Sequence, residues 1–424
     1  MSLQFTMQGM SWQEVAESGF GKPYNHATRG IEVYRNELYI GTQNLFTFLP
    51  QAKMAPLAKL LIIPICRILE RIRPEAFITF GGTIFALAGL LSEGCEVWKY
   101  NFTTGEWYPV VSNNEGSQLP AGFGNRMNFI ASVMKVYRGK LFVGTMSSIL
   151  TGCEVWMYDG DKWKRVASHG FGDLTNLGVW CAEVYRGELY VGTMNWFKGC
   201  QVWKTNDGKS WKKIPLPGGD GFGDRFNVYA WSMEVYQDHL YLGTFNLKTG
   251  CQLWRFNGSK WEKVYLPGGD GFGTEESYGI RNMVVYNGKL YIGTASSLFH
   301  DGVGCEVWAY DGKEWEEVVG REARIKDGFG EDTNKYAWTM IADSKGNLFV
   351  GTLNFNPSVK EFLNITSGCE VWRFNGTGWE RVAWNGFGNE NNVGARSIIE
   401  YPEGSGIIWI GTWNILKGCE VWRS

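Results

Sequence analysis

Three arginines and three tryptophans share one column of a repeating sequence: Arg29, Ser132, Trp180, Trp231, Arg281, Trp338 and Arg396. Guanidinium groups bind carboxylate and phosphate in bidentate geometry. Three of them close together repel one another unless an anion or acidic side chains balance them. Tryptophan rings can stack on a flat, unsaturated or cationic group. These residues are therefore the candidate ligand-binding set, and the column is not uniform, as expected of a site. The competing reading is a plug whose side chains pair with backbone carbonyls or with acids such as Glu183 and Glu234. Tyr229, Tyr278 and Tyr336 lie two or three residues before the column and are the candidates for acid or base. Four residues before it stand Asn25, Asn128, Asn176, Asn227, Ser277, Asn334 and Asn392. That near-uniform column points to turn hydrogen bonding instead.

The columns align on a Gly-Thr pair beginning at Gly41, Gly144, Gly192, Gly243, Gly293, Gly351 and Gly411. After each pair comes Gly-Cys-(Glu/Gln)-(Val/Leu)-Trp, starting at Gly94, Gly152, Gly199, Gly250, Gly304, Gly368 and Gly418. A period of about 50 residues marks a stacked or circular array. In the copy from Trp180 to Trp211, two strands flank Arg186-Gly187, a third starts at Gly199, and Asp207-Gly208 turns into a fourth. Four antiparallel strands repeated radially make a propeller blade. Six fourth strands start at Trp107, Trp163, Trp211, Trp261, Trp315 and Trp379, and the seventh at Trp12. The expectation is an all-β, seven-bladed β-propeller of four-stranded antiparallel blades. It forms one domain over 1–424, with an N-terminal strand closing the last blade. The Gly-Phe-Gly turn after every fourth strand reads as scaffold.

Net charge is −2, which favours no nucleic acid. Only four His occur and no Cys-x-x-Cys spacing, so neither a metal centre nor a cofactor is expected. Seven of nine Cys repeat at one position and read as small buried hydrophobes. Unpaired Cys and no signal-peptide pattern point to the cytoplasm.

Most connections between second and third strands are short, but 49 residues separate Asn44 from Gly94. This insertion, 45–93, reads as apolar helix with basic residues, including Lys59, Arg67, Arg71 and Arg73. Its uncharged stretch from Ala76 to Leu91 is too short to span a bilayer. A hairpin entering one leaflet is expected, with Leu60, Leu61, Ile65, Ile68, Phe77, Phe80, Phe85 and Leu90 as membrane contacts. A helical cap over the ring, or a protein interface, is the alternative. The insertion should share one face with the Gly-Phe-Gly turns, around the channel mouth.

The motifs Gly-Cys-Glu-Val-Trp, Asp-Gly-x-x-Trp and Gly-Phe-Gly-Asp-x-x-Asn resemble tandem propeller repeats of bacterial and archaeal proteins. Across the chain outside the insertion, that resemblance implies the fold and no activity. More loosely, the chain is similar to the propeller domain of cyanobacterial enzymes that alkylate resorcinol rings. Those enzymes carry an additional N-terminal calcium-binding domain absent here, so no residue role transfers. The resemblance implies only that such a ring can process long-chain substrates.

The expected function is a monotopic, membrane-associated propeller binding a long-chain or isoprenoid-like amphiphile at its channel mouth. Its chemistry, where present, would be of transferase, cyclase or alkylating type. A lectin or interaction scaffold is the first alternative, and a calcium-dependent lactonase-like hydrolase the second. The sequence does not set the oligomeric state.

Overall fold

The computed structural model describes residues 4–7, 10–44, 82–83, 87, 89–356, 366–414 and 416–424. Each repeat forms four antiparallel strands, as in Gly178–Tyr185, Glu188–Met194, Val202–Thr205 and Lys212–Ile214. The third strand begins after the Gly-Cys pair, which does another job. Cys200 N–H donates to Asn227 O at 2.8 Å, and Gly221 N–H donates to Cys200 O at 2.8 Å. The motif thus laces each repeat to the start of the next. All eight described Cys are buried and free.

The recurring aromatic residues pack as a unit. In the fourth repeat, Phe222 stacks on Trp254 at 4.4 Å and meets Trp261 edge-on at 5.3 Å. Phe222 has φ of 57°, in the left-handed region, and the buried stack holds it there. The same arrangement joins Phe387 to Trp422 and to Trp12, at 5.1 and 5.2 Å. Trp12, fully buried, therefore does for the last repeat what a local fourth-strand Trp does for the others.

The asparagine column is structural. Asn227 Nδ2 donates to Gly221 O and to Gln252 Oε1, both at 2.9 Å. Its Oδ1 accepts from Asn246 Nδ2 at 3.0 Å. Where Glu precedes the third strand, the carboxylate takes a basic partner in several repeats, as in Arg165–Glu154 at 2.9 Å and Arg381–Glu370 at 2.6 Å.

The expectation of a seven-bladed propeller of four-stranded antiparallel blades is corrected by the sheet. The described strands form one sheet of 29. The residue after each Gly-Thr pairs with the inner strand of the next repeat, as in Gln43↔Ile130, Met194↔Tyr229 and Trp413↔Ala27. The first two strands of every repeat are thereby joined into a closed antiparallel barrel of fourteen strands around the channel. The N-terminal segment also adds two strands instead of one. Met10–Glu14 pairs with Val421–Arg423, and Gln4–Met7 pairs outside it. Closing the ring satisfies backbone groups that isolated blades would leave open along their inner edges.

Most of the insertion lies outside the described residues, including Leu60, Leu61, Ile65, Ile68, Phe77, Phe80 and Phe85. Leu90 is half-buried in the turn Gly89–Leu91. No helix among the described residues is long and apolar enough to cross a membrane.

Candidate functional site

A shift of register marks every inner strand at the Arg/Trp column. In the third repeat Val179 pairs with Thr193 and Cys181 with Gly192, leaving Trp180 unpaired. The same skip isolates Ser132, Trp231, Arg281, Trp338 and Arg396. In the first repeat it spans Arg29 and Gly30. A β-bulge re-aims the side chain at its extra residue. Here the bulges turn a whole column inward.

All seven predicted ligand residues line one cavity of about 210 Å³. That is below the usual range for drug-sized ligands. Arg281 is 4% exposed and Arg396 7%, whereas Arg29 is half-buried. No described carboxylate forms an ion pair with any of the three, since Glu183 is taken by Lys135 at 2.8 Å. Arg29 reaches only the Trp180 carbonyl, at 3.5 Å. The Nε of all three arginines and the Nε1 of Trp180 and Trp231 are buried donors without a protein acceptor. Burial pushes the Arg29 pKa down to about 10. Burial, then the Arg29 and Arg396 charges, push Arg281 well down. Burial and Arg29 do the same to Arg396.

The tryptophans also meet the arginines. Their faces hold guanidinium groups: Arg29 over Trp180 at 4.6 Å, Arg396 over Trp338 at 4.6 Å, and Arg281 over Trp231 at 5.4 Å. They therefore position the cations. Ser132 Oγ, with one proton to give, lies 2.5 Å from the Val179 carbonyl and 3.0 Å from that of Gly144.

The tyrosine candidates belong to an aromatic cluster with Phe129, Trp196, Phe245 and the three tryptophans. Tyr229 stacks on Trp180 at 5.1 Å, and burial raises its pKa well above the ordinary value. It is thus held in its protonated form. The cluster joins residues of the second to the seventh repeat near the starts of their inner strands. The described end of the insertion packs on it, and a Cβ at Gly82 would stand 2.8 Å from Trp196 Cβ. The arginines lie beyond this cluster along the same inner strands.

The sequence reading passed over Glu32 and Lys135 as members of a further column with Glu183 and Glu234. The alignment that gave the arginine column gives this one three residues on. Among the described residues, no group of His, Cys, Asp and Glu could hold a metal ion.

No family model matches this chain, and no curated protein does. Among solved structures it is similar to YCF48 from Cyanidioschyzon merolae, with a TM-score of 0.52, 8% identity, and 97% of this chain and 98% of that one covered. It is also similar to the β-propeller domain of the Trilobed protease from Pyrococcus furiosus, with a TM-score of 0.44, 8% identity and coverages of 94% and 95%. A Trypanosoma rangeli sialidase matches with a TM-score of 0.41, 12% identity and coverages of 68% and 53%. At such identity the likeness concerns the fold alone. The scaffold is a β-propeller, and these neighbours do not bear on its Gly-Cys-Glu-Val-Trp repeat type.

Proposed function

We propose that this protein binds a small anionic ligand in its channel through Arg29, Arg281 and Arg396. One observation carries the reading: three guanidinium groups line a single cavity with unmatched Nε donors and no paired carboxylate. A buried cation without a counter-charge is costly, and an oxyanion accepting several N–H bonds would offset that cost. The anion is the head-group half of the amphiphile expected from the sequence.

Calorimetric titration of phosphate, succinate and hexanoate tests this reading. Wild-type protein should bind at least one of them, and an Arg281→Met/Arg396→Met variant none. Equal binding by both proteins refutes it.

A second reading concerns location. Leu87 and Leu91, at the described end of the insertion, are 47% and 45% exposed. Exposed leucines beside an apolar segment support peripheral membrane contact. Wild-type protein should float with phosphatidylcholine–phosphatidylglycerol vesicles, and a Leu87→Asp/Leu91→Asp variant should not. Wild-type protein left at the bottom of the gradient refutes contact with such vesicles.

A further inference from the structure

Beyond the arginines, the same inner strands carry a layer of opposite charge. Three residues on stand Glu32, Lys135, Glu183 and Glu234 in four consecutive repeats, and Val284, Ile341 and Ile399 in the other three. Val284, Ile341 and Ile399 pack against hydrophobic cores instead. Lys135 pairs with Glu183 and also feels Glu32 and Glu234. Glu32 and Glu234 have no cation at ion-pair distance among the described residues. Each accepts a backbone hydrogen bond from the next residue, Val33 or Val235, at 3.0 Å. One lysine against three carboxylates leaves negative charge unmatched, as the arginine layer leaves positive charge unmatched.

The two layers do not neutralise each other. Three residues of strand separate them by about 10 Å. The bulges hold each guanidinium against an indole face, so the arginines do not reach the acids. Burial raises the Glu32 pKa, and burial with the Glu183 charge pushes Glu234 up to about 7. Both carboxylates would be favoured in their charged form by a cation beside them.

We propose that the channel takes a zwitterion, with its anionic end on Arg29, Arg281 and Arg396 and a protonated amine on Glu32 and Glu234. A short apolar linker would join the two ends. The inference rests on the anion site proposed above and goes further by fixing the other end of the ligand. A plain anion neutralises one layer only. A diacid sets its second charge against the glutamates, and a diamine sets one of its charges against the arginines.

Titration of the full chain at pH 8 with ω-amino acids from 4-aminobutanoate to 8-aminooctanoate, and with the carboxylic acids of matching length, tests it. At one length the amino acid should bind about tenfold or more tighter than the plain acid, the worth of one added charge pair. Glu32→Gln/Glu234→Gln should remove that advantage and leave the plain acid bound as before, with melting curves confirming the fold. If no amino acid exceeds its plain acid, or the double variant keeps the advantage, the zwitterion inference falls while the anion site stands. If wild-type protein binds neither series and no other small anion, both fall.

Discussion

Replacing Arg281 with methionine should stabilise the ligand-free protein and abolish anion binding. Arg281 is 4% exposed, its Nε has no acceptor, and two other guanidiniums share its cavity. Arg29 sets the scale of the cost. Burial takes its pKa from 12.5 to about 10, equivalent to about 3 kcal/mol of disfavoured charge. Solvent screens part of that at Arg29, which is half-buried, and less of it at the more deeply buried Arg281. Cation–π contact with Trp231 and Trp338, at 5.4 and 5.9 Å, returns about 1–2 kcal/mol. The net cost is then about 1–2 kcal/mol, within the gain found when hydrophobic residues replace buried charges. Methionine retains most of the arginine stem, so the cavity does not grow much. Unfolding entropy scales with length, and 424 residues give about 0.9 kcal/mol per degree. Scanning calorimetry should therefore show Tm rising by about 1–2 °C without ligand. A saturating anion should raise the wild-type Tm and leave that of the variant unchanged. A variant that melts lower, or that still gains stability from anions, refutes the reasoning. The first outcome would mean the charge is matched in the folded protein, and the second that the anion binds elsewhere.

The N-terminal latch should be pH-sensitive. Burial and then Glu420 push the Glu14 carboxyl up to about 7. A carboxyl raised on folding contributes stability that is complete below about 4.5 and lost as pH rises through 7. Glu14→Gln should remove the resulting fall in Tm between pH 5 and 8, and an unchanged profile would show that Glu14 is not its source. Phe222→Ala removes the stack on Trp254 but keeps the positive φ, and chemical denaturation should show a loss of about 3–4 kcal/mol. A loss below about 1 kcal/mol would mean the turn does not depend on the ring. Asn227→Asp sets a carboxylate against the Gly221 carbonyl and Gln252 Oε1. It should cost about 2–3 kcal/mol at neutral pH and less in acid, where the carboxyl can donate again. Equal losses at pH 4 and pH 7 would refute that account.

What the sequence determined by itself was whatever recurs. Strand and turn order, the Phe–Trp stacks and the asparagine bonds are made within a repeat or between neighbours, so their residues must return every period. A departure from a recurring column is equally visible. That is why Arg29, Arg281 and Arg396 could be placed at the channel before any coordinates, and the structure brings them to one cavity. Glu32 and Lys135 stood in the same alignment and required only a second column to be read.

Tertiary structure decided what depends on different repeats meeting at the centre. Single pairs such as Met194↔Tyr229 turn the inner strands into a closed barrel, and periodicity carries no sign of them. The tryptophans of the third, fourth and sixth repeats turn their faces to arginines of the first, fifth and seventh. Only the bulged backbone sets that distance and angle. The aromatic cluster has the same origin: Trp231 of the fourth repeat meets Tyr336 of the sixth edge-on at 5.9 Å. Sequence spacing states which residues lie at equal depth on equivalent strands. Which of them touch across the axis is set by the radius of the ring and the packing of unlike side chains within it.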